Sequence, residues 1–142
     1  MARGRRRGAR GRRLRLLADT HAVLWWLADD PRLSGTAREA IAGAEEPMFG
    51  AGTLFEVAIK ASLGKLEVAE GWAEELLSEG FSLLPITPAH AAAYRRLPYV
   101  ELGGNLQRDP FDRLLVAQAT VEQVPLVSRD PGVAAHGIAT LW

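Results

Sequence analysis

Short apolar runs, each close to a helix-opening signal, recur along this chain, and that alternation admits few folds. The runs are Leu14–Ala18, Met48–Ala51, Ser82–Ile86, Pro125–Ser128 and Ile138–Trp142. Strands this short and this continuously apolar are those buried on both faces of a sheet. The intervening punctuation is helical. Thr20–Ala28 follows the first run and ends at Asp29-Asp30-Pro31, and Ser34 caps a helix to about Ala42, stopped by Gly43. Thr53–Leu63 precedes Gly64, in the position just past a helix end that favours glycine. Another helix is expected over Gly71–Glu79. Thr87-Pro88 and Asp109-Pro110 each pair a capping residue with a first-turn proline. They open helices to about Leu97 and over Phe111–Val121, and Pro131–Ala135 makes a short last one. Residues 98–108, with Pro98, Gly103, Gly104 and Asn105, form the longest loop. Strands joined through helices pair in parallel and are covered on both faces. The expected fold class is α/β: three layers, α/β/α, around a short-stranded, mainly parallel central sheet.

A chain of 142 residues makes one domain with room for a real core, and 48% hydrophobic with 24% charged residues is a globular composition. No apolar run approaches the ~20 residues of a membrane span, so no membrane partner is expected. The absence of cysteine excludes disulfides, thiolate catalysis and cysteine zinc sites, and fits a cytoplasmic location.

The net charge of zero conceals an asymmetry. Residues 1–13 hold seven of the 17 basic residues and no acid, which leaves ten basic against 17 acidic groups in residues 14–142. An Arg/Gly run buries nothing and is expected to be a disordered tail, or the product of a start codon placed too far upstream. An RNA-binding arm is the functional alternative. The folded domain is expected over residues 14–142.

Four acids interrupt otherwise apolar stretches. Asp19 and Asp130 lie just past the first and fourth apolar runs, while Glu56 and Asp112 are expected in the first turns of their helices. In a parallel sheet all four fall at one end, where α/β proteins bind ligands. Each acid alone has a structural reading. Asp19 is a possible N-cap, unless Thr20 takes that place. Thr53-Leu54-Phe55-Glu56 spells a capping box, and Lys60 pairs with Glu56 at helical spacing. Asp130 before Pro131 suits an Asx turn. Asp109 is the evident cap of its helix, with Arg113 four residues on. Asp112 instead faces Leu115 and Val116 and has no cation on its own helix face, so it is the functional member of that pair. Repeated at four junctions without matching cations, the acids point to a hard divalent ion, Mg²⁺ or Mn²⁺, which needs neither His nor Cys. Metal-assisted phosphodiester cleavage is the expected chemistry.

Here a resemblance enters. Leu17-Ala18-Asp19-Thr20-His21-Ala22-Val23-Leu24-Trp25-Trp26-Leu27, Phe55-Glu56-Val57-Ala58-Ile59-Lys60, Gly64-Lys65-Leu66, Asp109-Pro110-Phe111-Asp112-Arg113-Leu114-Leu115-Val116-Ala117-Gln118-Ala119 and Leu126-Val127-Ser128-Arg129-Asp130 occur in that order. Together they resemble the PIN-domain ribonucleases, especially VapC-like toxins of bacterial toxin–antitoxin pairs, across the whole of residues 14–142. The resemblance implies that Asp19, Glu56, Asp112 and Asp130 surround one or two Mg²⁺ or Mn²⁺ ions and cleave RNA internally. It also implies a cognate antitoxin and a homodimer. Ala18, Gly50, Gly52 and Ser128 depart from the family's commoner residues, and the two glycines are expected to loosen the approach to Glu56. The arginine-rich head has no family counterpart.

Arg113, Arg129 and Ser128 are the expected substrate-binding residues, the arginines holding phosphate or else balancing the neighbouring carboxylates. His21 could touch RNA but belongs to no histidine cluster. Trp25, Trp26, Phe55, Leu63 and Trp72 are expected mainly in the core, any exposed members offering an apolar groove to a partner. A receiver-like signalling domain would need a lysine beyond a late strand, and the only lysines are Lys60 and Lys65. The other rival is a catalytically silent binding module whose acids serve partner electrostatics.

Overall fold

The computed structural model describes residues 14–142; the expectations for residues 1–13 lie outside the described residues. In chain order the elements are β1 (Arg15–Ala18), α1 (Thr20–Leu27), α2 (Gly35–Gly43), β2 (Glu46–Gly50), α3 (Ala51–Ser62), α4 (Trp72–Ser78) and β3 (Ser82–Leu84). They continue with α5 (Pro88–Arg96), β4 (Glu101–Leu102), β5 (Asn105–Leu106), α6 (Pro110–Glu122), β6 (Leu126–Val127), α7 (Pro131–Ala134) and β7 (Thr140–Leu141). Five strands form one sheet in the order β3-β2-β1-β6-β7, every pairing parallel. β1 is central, registering Leu17 against Met48 on one side and Leu126 on the other.

Successive strand residues face opposite sides, which builds two cores. Leu16, Ala18, Phe49 and Val127 pack with Val23, Trp25, Ile41 and Leu76 under α1, α2 and α4. Leu17, Met48, Leu84 and Leu126 pack with Leu115, Val116, Ala119 and Val133 under α6 and α7. The three-layer α/β/α arrangement follows, with β1 sandwiched and Leu17 and Ala18 fully buried. Among the described residues no helix is long and apolar enough to cross a membrane.

Four local expectations need correction. α3 begins at Ala51, capped by the backbone of Gly50 without a side chain, so Thr53 lies inside the helix and the Thr53–Glu56 capping box does not form. Glu56 accordingly sits in the second turn. Gly50 and Gly52 tighten rather than loosen this junction. A Cβ on Gly52 would lie 2.6 Å from Leu114 Cδ2, and one on Gly50 would lie 2.8 Å from Gln118 Oε1, so their bareness lets α3 settle onto α6.

The segment read as a long loop holds an antiparallel hairpin, β4 against β5, turned by Gly103 and Gly104 at φ +59° and +84°. Two left-handed glycines are what a tight hairpin turn requires. Finally, Phe55 on α3 and Leu63 at its C-terminal cap are mostly exposed rather than core, while Trp25 is buried and Trp26 and Trp72 are half-buried.

Candidate active site

The four acids meet at the carboxyl end of the sheet, each placed by a strand end or a helix start. Asp19 ends β1 and caps α1, its Oδ1 accepting from the Ala22 N–H at 2.8 Å. Thr20 is therefore not the cap. The Ser128 hydroxyl bonds the same carboxylate, and burial pushes its pKa up from the ordinary value against these hydrogen bonds. Asp130 follows β6 and caps α7, with Oδ1 accepting from the Gly132 N–H at 2.7 Å. Its own N–H donates to Ser128 Oγ at 3.1 Å.

Ser128 is thus a buried strut between Asp19 and Asp130, not the substrate contact expected of it. Gly132 also lies against Gln107 Oε1, which occupies the space a Cβ would need. Gln107 therefore ties the base of the β4–β5 hairpin to the Asp130 turn, a contact with no local sequence signal.

Glu56 is buried and held at both oxygens. The Thr20 hydroxyl donates to Oε1 at 2.6 Å and the Lys60 ammonium to Oε2 at 2.9 Å, while Thr53 Oγ1 lies 3.0 Å from Thr20 Oγ1. That hydrogen bond raises the pKa of Lys60. The helical pairing read from the sequence forms, and Thr20 is the partner the sequence reading missed. Its place directly after Asp19 was the available signal.

Asp112 differs from its neighbours. Asp109 caps α6, accepting at Oδ1 from the N–H groups of Phe111 (2.9 Å) and Asp112 (3.0 Å). Asp112 makes no side-chain hydrogen bond or ion pair with any described residue. Burial, then the negative charges of Asp109, Asp130, Glu56 and Asp19, push its carboxyl up to about 7. Asp19, Glu56, Asp109 and Asp130 all lie near enough for their charge to act on Asp112.

Arg113 is the clearest correction. It is 2% exposed and donates through Nη1 and Nη2 to the carbonyls of Pro98 (3.2 Å) and Leu97 (2.9 Å). Its guanidinium stacks on Tyr99 at 3.8 Å and Tyr94 at 4.9 Å. It pins the end of α5 to α6, does not pair with Asp109, and is buried away from the surface a substrate would approach. Arg129, by contrast, is exposed and lines a cavity together with Asp19 and Asp130.

The donor set suits a hard cation: carboxylate oxygens, one of them on a partnerless, strongly perturbed Asp112. Among the described residues no three Asp, Glu or His side chains converge tightly enough to enclose an ion as they stand. Capping leaves Asp19 and Asp130 their second oxygens, so structural and ligand roles are compatible there.

The PIN domain family profile matches residues 16–138. The ribonuclease VapC22 of Mycobacterium tuberculosis (strain ATCC 25618 / H37Rv) is 33% identical over 124 residues, covering 85% of this chain and 91% of that protein. Among solved structures, FitAcB from Neisseria gonorrhoeae aligns with a TM-score of 0.58 at 20% identity, over 88% of this chain and 95% of that one. VapBC2 from Rickettsia felis, bound to a promoter DNA fragment, aligns with a TM-score of 0.60 at 12% identity, over 89% and 97%. At these identities the structural likeness carries the fold.

Proposed function

We propose that this chain, which belongs to the PIN-domain family, is a Mg²⁺- or Mn²⁺-dependent endoribonuclease and the toxin of a toxin–antitoxin pair. The observation that carries the reading is Asp112, a half-buried carboxyl with no cation of its own, under the charge of four other acids. Asp19, Asp112 and Asp130 would hold one or two ions, with Glu56 orienting the site. When bound, such an ion stabilises charge on the phosphate and makes water a better nucleophile.

The chain's own residues do the rest. Ser128 keeps Asp19 and Asp130 aligned by bonding both. Thr20 and Lys60 fix the Glu56 carboxylate in one orientation. Arg129 offers positive charge to the RNA backbone beside the acids. The two hydroxyls that touch carboxylates, Thr20 on Glu56 and Ser128 on Asp19, are buried away from a substrate, which leaves water as the attacking group.

The relative's ribonuclease name supports the assignment, and a toxin–antitoxin complex from Klebsiella pneumoniae shares the fold at a TM-score of 0.57 and 18% identity, over 84% of this chain and 90% of that one. An apolar groove of about 480 Å³ flanked by Leu24, Leu27, Leu66, Val68 and Trp72 offers room for an antitoxin segment. Exposed Phe55 and Ile59 on α3, with Leu63 at its C-terminal cap, recur at helical spacing and offer an apolar strip for a homodimer. The activity belongs in the cytoplasm, with its RNA.

Incubating the purified protein with single-stranded RNA tests the reading. Cleavage is expected with Mn²⁺ or Mg²⁺, stopped by EDTA and restored by excess metal. Intact RNA under all conditions, from folded protein free of antitoxin, would leave the silent binding module instead.

A further inference from the structure

The cavity of about 440 Å³ beside Asp19 and Asp130 has a second wall of different character. Trp25 stands behind it and carries three planar groups. The Arg129 guanidinium lies 4.5 Å from the ring centroid, that of Arg32 lies 4.9 Å away, and the His21 imidazole stacks at 5.3 Å with a 27° tilt. These three are not equivalent. Arg32 commits its Nε and Nη2 to Asp30 at 3.1 and 2.8 Å. The side chains of Arg129 and His21 are exposed and make no hydrogen bond or ion pair with any described residue. A guanidinium lying on an indole keeps its N–H groups free in its own plane, in the fork that matches a phosphate.

Polyanion binding needs such a feature. Residues 14–142 carry ten basic groups against 17 acidic ones, and the acids of the site repel a phosphate backbone. An ion held by the acids would take the charge at the cleaved phosphodiester; the neighbouring phosphate would have to be held by the protein alone. A base stacked directly on Trp25 is disfavoured, because that residue is only 8% exposed and already covered by these groups.

We propose that this pocket is a second phosphate subsite. It takes the phosphodiester adjacent to the cleaved one on Arg129, with His21 as a second donor and Trp25 as the platform that positions both. The proposal rests on the endoribonuclease reading and narrows its substrate contact.

The test separates the two. Binding of a fluorescent, 2′-O-methylated single-stranded oligoribonucleotide is followed by anisotropy in EDTA over a salt series, and cleavage kinetics are measured separately with Mn²⁺. Arg129→Gln should weaken binding roughly tenfold and flatten the slope of log affinity against log salt by about 0.7, the value for one lost phosphate contact on a single strand. It should raise KM by a similar factor and leave kcat within about twofold, the pattern of a uniform binding contact. His21→Ala should move both in the same direction by less. Trp25→Leu, checked for folding by its melting curve, should reproduce much of the Arg129 effect and add little to it in the double variant. Should Trp25→Leu not fold, Trp25→Phe with its smaller ring takes its place. Arg96→Gln, an exposed arginine on α5, is the control for bulk charge. If Arg129→Gln matches Arg96→Gln in affinity and salt slope, the subsite is overturned while the nuclease reading stands. If the parent never cleaves but binds through Arg129, the nuclease reading fails and what holds is a phosphate-binding pocket of a non-cleaving RNA binder.

Discussion

Asp112→Asn is expected to abolish metal-dependent RNA cleavage, lowering it roughly a thousandfold or more, the scale on which removing a group that stabilises transition-state charge is felt. Its neighbour should behave oppositely. Asp109 accepts two backbone N–H groups at the start of α6, and asparagine caps helices about as well. Asp109→Asn should therefore keep most of the activity and cost about 1 kcal/mol or less of stability. The contrast is informative because the two carboxyls lie within one helical turn and carry the same formal charge. One is held by the backbone, and the other has no partner among the described residues. Equal loss of cleavage in both variants, each shown to be folded, would remove Asp112 from its assigned role.

The second large effect is on stability. In the metal-free protein the Asp112 carboxyl sits at about 7, raised first by burial and then by the surrounding acids. The same group in an unfolded chain titrates near ~3.9. Between those values the folded state holds a proton that the unfolded state lacks, so stability falls as pH rises through that window and levels off above it. Asp19, raised by burial, works in the same direction. In EDTA the melting temperature should therefore be higher at pH 5 than at pH 8 by a few degrees, since solvent screening tempers the effect at a half-exposed group. Asp112→Asn cannot ionise. It should melt higher than the parent at pH 8, close to it at pH 5, and flatten most of the difference. A parent curve that is level from pH 5 to pH 8 would mean the carboxyls do not crowd one another.

The layers of this fold were legible because the strands are short, apolar and closed by strong helix signals. Ser34, Thr87 and Asp109 cap the helices expected of them. What stayed hidden involved contacts between distant segments. Arg113 reads as a charged neighbour of a site acid, yet it is buried because Leu97, Pro98, Tyr94 and Tyr99 come to it from α5 and the following loop.

The Thr53 cap failed because the chain turns straight from β2 into α3 at two glycines whose bareness is needed by α6. Tertiary packing thus overrode a valid local signal. The β4–β5 hairpin escaped because its strands are exposed and only two residues long, too short for the Val100-Glu101-Leu102 and Asn105-Leu106-Gln107 alternation around Gly103-Gly104 to stand out from a loop. At the site, the position of the acids at the carboxyl end of the sheet was readable. Their supports, Ser128 and Thr20, were respectively misassigned and overlooked, since only the fold brings Thr20 to Glu56 and sets Ser128 between Asp19 and Asp130.

The most direct test of the central claim, that these acids form a divalent-ion site, is the melting temperature at pH 7.5 in EDTA and in millimolar Mn²⁺. An ion that binds only the folded state stabilises it by mass action, by roughly 2.7 kcal/mol at a hundredfold excess over its dissociation constant. The parent should gain several degrees, and Asp19→Asn and Asp112→Asn should each lose most of that gain. A parent whose melting temperature does not move with Mn²⁺ would contradict the account, and Asp19 and Asp130 would then be helix caps and nothing more.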